Sequence, residues 1–512
     1  MRILDRLEQN KTTWFMLIIL FFFFLLRLPS LFEPYWYGDE GVYQTLGNAI
    51  KNDRLLYRDI WDNKPPFIYL LYSVFNSDQF ATKLASLIAG LLSILVFFFL
   101  AKKLFSPPAG GLKICYFVTV IFAILFGLPL IEGNIANAEN FMLLPVITSA
   151  LLILYTTRDR SIHKTSSHKK SSYSYLMLNT YSYYLIPLSA GLLLSFAFLF
   201  KVVAIFDFTA FVVFVAIVRL GKRLSLKNIK NIKNQIISVS VGFIAPIILT
   251  TLFFLINGGL KDFLQATFIQ NVGYVGYGNK FLIPQGLLLL KAVFLSVFIL
   301  YIFKIRKILS LTTIFILIWF AFSLFNAFFA KRPFPHYLLV LLPSFSLILG
   351  LIFWDKKYQK IITLFLLIAM VFVFSNFHFF DKSIAYYKNF IMFIADKKSI
   401  TSYETFFDKK TPIDYEIALF LKPKIRKNDS IFIWGNNPQV YKMVGVLPPG
   451  KYVVAYHITG YKDGILNTKN SISKVKPKFI VIMPDQHTVP FSLSGYFPRI
   501  KIGNALIYER IL

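Results

Sequence analysis

One cysteine, Cys115, stands in a chain of 512 residues. No disulfide within the chain is available to it, and a thiolate metal cluster has no ligand set. Cys115 lies inside an apolar run and reads as a buried membrane thiol. Acids are scarce as well: 25 Asp and Glu face 55 Lys and Arg, for a formal net charge of +30. Such an excess suggests nucleic acid, but the bases are not gathered in one patch. They fall in short clusters between apolar runs, as the cytoplasmic loops of membrane proteins do. No nucleic-acid partner is expected. No glycine-rich nucleotide loop and no internal repeat stand out.

What is abundant is apolar: 56% of the residues are hydrophobic and 57 are Phe. A helix needs about 20 apolar residues to cross the hydrocarbon. Runs of that kind lie near 13–32, 79–101, 113–130, 141–157, 183–200, 202–219, 235–256, 286–303, 309–329, 337–354 and 361–379. The expected fold is a polytopic α-helical membrane protein with about 11 transmembrane helices. Arg2, Arg6 and Lys11 precede the first run, and no small-residue cleavage site follows it, which predicts an uncleaved signal anchor. Phe67 to Phe75 is too short to span and is expected to lie in the interface or to extend the second helix. The polar segment 161–174, with His163 and His168, reads as a solvated loop.

Loop charge gives the expected topology. With the N-terminus in the cytoplasm, Lys102, Lys103, Arg158, Arg160, Arg219, Lys222, Lys304, Arg306, Lys356 and Lys357 all fall on the cytoplasmic side. The opposite connections are poor in bases except at 51–64, Lys201 and 331–332. This places the stretch 35–66, and everything after Phe380, outside. The predicted location is the cytoplasmic membrane, multi-pass.

The chain changes character after residue 380. Runs SIFIWG (430–435), KYVVAYH (451–457), KFIVIM (478–483) and NALIYER (504–510) read as strands separated by turn residues. Pro412 to Leu421 reads as a helix. The division expected is a membrane domain at 1–380 and a small C-terminal extracytoplasmic α/β domain at 381–512.

Chemistry concentrates at YWYGDEGVYQTLGNAIKNDRLLYRDIWDNKPP (35–66), which holds Asp39, Glu40, Asp53, Asp59 and Asp62 beside Lys51, Arg54, Arg58 and Lys64. Asp39 is expected to cap the following helix, with Glu40 on its dipole. A carboxylate so fixed also suits a general base at a hydroxyl. Arg58 and Lys64 suit phosphate oxygens, or lipid head groups. Pro65 and Pro66 stiffen the exit.

The order of apolar segment, exposed Asp-Glu, juxtamembrane helix and YRDxWxxKPP resembles the GT-C membrane glycosyltransferases. It is closest to the bacterial branch related to protein O-mannosyltransferases and lipid A aminoarabinose transferases. The resemblance covers nearly the whole chain and is sharpest at 35–66. It implies a polyprenyl-phosphate-linked sugar as donor, used outside the membrane on a lipid, glycan or protein acceptor. By position, Asp39 is similar to the family's catalytic base, Glu40 to its neighbour and Lys64 to the lysine that meets the donor phosphate. In the aminoarabinose transferases a glutamate before KPP helps hold a metal; here it is Asn63. No cofactor is therefore certain, and a divalent metal is the one kind the resemblance leaves open.

Four further places gain meaning from it. Glu139 in NAENFMLLP resembles an acidic position near the catalytic carboxylate, and otherwise reads as a charged helix start. Lys201 ends FLFK and either snorkels to head groups or meets the lipid-linked phosphate. Arg332 and His336, in KRPFPHY, either anchor the interface or bind phosphate and sugar. Tyr274 and Tyr277, in the glycine-bearing outer loop 257–285, either stack on a sugar or line the acceptor path, or else belong to a plain external loop. Arg27 reads as a snorkelling residue, and Trp434 with Gly435 as packing. An inverting glycosyltransferase is the expected function. A flippase for lipid-linked sugars is the alternative, and a scaffold whose tail binds a partner ranks below both.

Overall fold

The computed structural model describes residues 10–105, 111–156, 172–220, 226–271, 288–330, 332, 334–426, 428–486 and 488–511. His163, His168, Tyr274 and Tyr277 lie outside them. Each of the apolar runs forms a helix. α1 (Lys11–Arg27) is continued by a 3₁₀ turn, Leu28–Phe32. Two shorter helices follow, α2 (Gly38–Lys51) and α3 (Phe67–Val74). Then come α4 (Gln79–Phe105), α5 (Gly111–Gly127), α6 (Ala138–Thr156), α7 (Ser172–Phe200), α8 (Ile205–Arg219) and α9 (Leu226–Ile256). After α10 (Leu260–Leu264) the bundle closes with α11 (Leu288–Ile305), α12 (Leu311–Ala327), α13 (Leu342–Trp354) and α14 (Gln359–Asn376). Among the described residues, 7 segments are long and apolar enough to cross a membrane. Shorter apolar helices at Gly111–Gly127, Tyr184–Phe200, Leu311–Ala327 and Leu342–Trp354 account for the rest. This is a polytopic helical membrane protein.

Small residues bring the bundle together. A methyl on Gly191 of α7 would meet the Val239 carbonyl oxygen at 2.0 Å, and one on Gly242 of α9 would meet that of Leu188 at 2.1 Å. The two helices touch through backbone there, as close-packed membrane helices do. Cys115 is buried, as expected. Arg27 corrects the snorkelling expectation. It is fully buried, donates Nη2–H to Ser86 Oγ at 3.1 Å and sits over the Phe23 and Phe126 rings. The helix α3 is separate from α4, because Asn76 and Ser77 turn the chain with φ near 56° and 53°.

The C-terminal α/β domain begins with α15 (Ser383–Ile394), α16 (Ile400–Phe407) and α17 (Thr411–Leu421). Strand β1 (Ile431–Trp434), helices α18 (Gln439–Val444), α19 (Ala455–Gly460) and α20 (Gly464–Val475), and β2 (Phe479–Ile482), β3 (Tyr496–Ile502) and β4 (Ala505–Arg510) follow. The sheet order is β1-β2-β4-β3, parallel for β1/β2 and antiparallel elsewhere. The run at 451–457 is not a strand. Tyr452 makes one isolated bridge to Trp61, and the chain turns helical at Ala455. Strand β3 goes beyond the sequence expectation. It is an exposed edge strand with an irregularity after Pro498, where an edge tolerates a missing N–H.

One buried cluster joins this domain to the ledge that follows α1. Val42, Leu46, Tyr57, Trp61 and Tyr69 share it with Ile433, Trp434, Val440, Tyr441 and Tyr452. Fully burying one such side chain is worth about 1.5–3 kcal/mol, so the ledge and the domain stay seated on each other.

Candidate active site

Helix α2 starts at Gly38, with Tyr37 at the cap position and no side-chain cap. Asp39 is therefore in the first turn, rather than capping it as expected. Its Oδ2 is engaged by side chains: the Tyr43 hydroxyl donates to it at 3.2 Å and Lys64 Nζ lies 3.2 Å away. The Asp39 side chain keeps 31% of its surface open. Burial pushes its carboxyl upward, but Lys64 and His336, with the bonds from Lys64 and Tyr43, outweigh burial and hold it below its ordinary value.

Lys64 is held by its own loop. Tyr57, at φ 70°, donates its hydroxyl to the Lys64 carbonyl at 2.7 Å. The Lys64 N–H donates to the Tyr69 hydroxyl at 3.2 Å, and that hydroxyl donates to Asp62 Oδ2 at 2.7 Å. Asn271 donates to the Asn63 carbonyl at 2.8 Å. The ammonium rests 5.0 Å from the Tyr43 ring centre and 4.0 Å from Asp62. Each bond fixes backbone or ring, so the cation enters the cavity from a defined stem.

A second ion pair faces the first. Glu139, in the first turn of α6, is ion-paired with Lys201, which sits in extended backbone between α7 and a 3₁₀ turn. Lys201 lies 4.2 Å from the Tyr337 ring centre. His336 Nε2 is 3.7 Å from Glu139, and its Nδ1 is 2.6 Å from Glu132, which also accepts the Tyr37 hydroxyl at 2.8 Å. Asp39, Lys64, Glu139, Lys201 and His336 line one cavity of about 340 Å³ with Asn63 and Asn326. Residues spread from 39 to 336 thus meet at one end of the bundle.

Other expected residues lie elsewhere. Glu40 turns inward: its Oε1 is 3.1 Å from Lys83 and accepts the Ala136 N–H at 2.7 Å. It braces the site without facing the cavity. Arg58 also fails to join. It is bidentate on Asp59, donates to the Asn257 carbonyl, and lines a different cleft with Arg54 and Phe253. Arg332 is exposed and does not line the cavity. Glu132, Tyr37, Tyr43 and Asp62 were not singled out as site residues, and only their place in the stretch 35–66 or in the loop before Glu139 signalled them.

Among the described residues, no group of three or more His, Cys, Asp or Glu side chains is placed to hold a metal ion. Each cavity carboxylate faces a protein cation, Asp39 with Lys64 and Glu139 with Lys201, and Asn63 on the same wall carries no charge. This donor set does not fit a divalent metal, and no step below passes through one.

The fold has solved counterparts. ArnT from Cupriavidus metallidurans bound to undecaprenyl phosphate aligns with a TM-score of 0.57 at 12% identity, covering 98% of this chain and 98% of its own. Its apo form aligns with a TM-score of 0.54 at 11% identity, over 98% of each chain. The apo oligosaccharyltransferase of Archaeoglobus fulgidus gives 0.48 at 13% identity, over 92% of this chain and 69% of its own. No protein-family model and no curated protein sequence matches the chain. The chain has the GT-C fold that the stretch 35–66 led one to expect.

Proposed function

We propose that the chain is an inverting glycosyltransferase that moves a sugar from a polyprenyl-phosphate carrier to a hydroxyl of a lipid, glycan or protein acceptor. One observation carries the reading: a carboxylate and a lysine, Asp39 and Lys64, stand 3.2 Å apart on the wall of one cavity. The shared fold with ArnT, crystallised with undecaprenyl phosphate, supports the choice of carrier.

The acceptor oxygen attacks the anomeric carbon from the face opposite the phosphate and gives its proton to Asp39. The bond from that carbon to the phosphate oxygen breaks, and its electron pair leaves with polyprenyl phosphate. Lys64, Lys201 and His336 balance the charge that builds on the phosphate. A phosphate that draws Lys64 to itself also takes that cation from Asp39. The carboxylate relieved of its partner is the better base.

We assign the cavity and the region 381–512 to the outer face of the cytoplasmic membrane, because the basic connections alternate with the base-poor ones. The region 1–380 is then the catalytic membrane domain. Purified protein in detergent, given undecaprenyl-phosphate donors with labelled sugars, is expected to transfer label, and Asp39→Asn to lower transfer by about 10²–10⁴-fold. Wild-type protein that moves the donor across vesicles with its glycosidic bond intact would establish the flippase instead.

A further inference from the structure

We propose that His457, carried by the C-terminal domain, is a positioning residue for Lys64 and acts through Asp62. The proposal rests on the reading of Lys64 as a ligand of the donor phosphate.

The geometry is a relay from one domain to the other. His457 Nε2 lies 3.7 Å from Asp62 Oδ1, with only 2% and 4% of the two side chains exposed. The other oxygen of Asp62 accepts the Tyr69 hydroxyl and stands 4.0 Å from Lys64 Nζ. Tyr69 in turn accepts the backbone N–H of Lys64. Asp62 thus reaches the lysine at both ends, and the His457 ring packs against the carboxylate that does so, at van der Waals distance rather than within hydrogen-bond reach. Burial drives the His457 ring down to about 4, against the pull of Asp62, so the imidazole is neutral near pH 7. A neutral ring orients Asp62 without competing with Lys64 for its charge.

The domain grips the loop around this contact. The Trp61 N–H donates to the Lys451 carbonyl at 2.9 Å, and Trp61 pairs with Tyr452. The Trp61 ring packs edge-on against His457 and Tyr461, with centres 5.0 Å and 4.3 Å away. Lys451 is bonded to Asp262 of α10 at 2.8 Å. His457 Nδ1 is buried and has no hydrogen-bond partner among the described residues. A buried polar ring with one unused nitrogen is costly for a residue that only fills space, where leucine would serve.

The test uses the full chain in detergent and tritiated undecaprenyl phosphate as the probe. His457→Leu is expected to bind it about tenfold more weakly, the scale on which partners of a ligating side chain act. His457→Gln, whose amide nitrogen overlays Nε2, restores binding. In a Lys64→Met background His457→Leu adds nothing, because the relay has no end. Melting curves accompany each variant. Should His457→Leu not fold, His457→Asn, too short to reach Asp62, takes its place against His457→Gln. Unchanged binding by His457→Leu, or an equal loss with and without Lys64, overturns the proposal. Wild-type protein that binds the carrier yet transfers no sugar sinks the glycosyltransferase reading alone, whereas no carrier binding at all sinks both.

Discussion

Glu40 and Lys83 meet at 3.1 Å in the interior, one residue along from the carboxylate that faces the cavity. Lys83 also holds Glu33 at 2.7 Å, and all three side chains are nearly closed to solvent. Glu33 further accepts from Trp36, Asn134 and Tyr386. Removing the lysine leaves two acids without their cation, and breaking a buried pair in this way costs about 3–5 kcal/mol. Lys83→Met is therefore expected to melt well below wild type in detergent. Glu40→Gln, which keeps a partner for the Ala136 N–H donor only through its carbonyl oxygen, is expected to fall less. A Lys83→Met chain as stable as wild type would show that the cluster is not what braces α2.

Asp39→Asn tests the chemistry apart from the fold. General bases contribute about 10²–10⁴-fold, and transfer is expected to fall by that range while melting temperature and carrier binding persist. Lys64 and His336 hold the Asp39 carboxyl below its ordinary value in spite of burial. The sign follows from that direction. The group adds stability above its unfolded value, and that share is lost only as pH falls through the lower folded value. The pH–rate profile of the wild type, measured between about pH 5 and 8, is then expected to show no acid limb from free Asp39.

The apolar runs located the bundle well because a membrane span is a matter of length and hydropathy, both local. Asp39, Lys64, Glu139, Lys201 and His336 were also legible, each as an ionisable side chain in a loop on one side. Their common cavity was not, since it needs the helices assembled. Arg58 and Glu40 lie away from the cavity for a geometric reason. Neighbours on a helix point about 100° apart, and a loop arginine a few residues from the site can face another cleft. His457 left no local signal, because its contact with Asp62 exists only once the C-terminal domain has docked. KYVVAYH carried a strand pattern whose buried Tyr452 and Val453 serve docking, and Pro498 disguised an edge strand.

Asp414 predicts a pH dependence in the C-terminal domain. It is 1% exposed, and burial lifts its carboxyl to about 7, although Asn437 donates to it at 2.9 Å and Gln439 at 2.6 Å. Between its ordinary value of 3.8 and about 7 the folded chain keeps a proton that the unfolded chain has released. Stability therefore declines as pH rises through that window and levels off above it, by on the order of 1–4 kcal/mol in all. Melting followed by tryptophan fluorescence is expected to shift upward from about pH 8 to about pH 5. Asp414→Asn is expected to flatten the slope, and a slope unchanged in that variant would assign it to another group.

Gly41→Ala probes how the domain sets the position of Asp39. Gly41 lies two residues further along α2, where an added Cβ would meet the Gln439 backbone nitrogen at 2.8 Å and the Pro438 ring at 3.0 Å. Thr45, one turn on, donates to the Pro438 carbonyl at 3.1 Å, so this face of α2 is pressed on the start of α18. Alanine gains about 0.5–1 kcal/mol over glycine inside a helix. Overpacking against backbone costs about 1–3 kcal/mol, and backbone cannot swing aside as a side chain can. The clash wins, and the melting temperature is expected to fall modestly. Activity is expected to fall further, since a 1 Å displacement of a reacting group can cost about 10²-fold. A variant that loses stability and activity in the same small proportion would mean that the domain supports α2 without aiming its carboxylate.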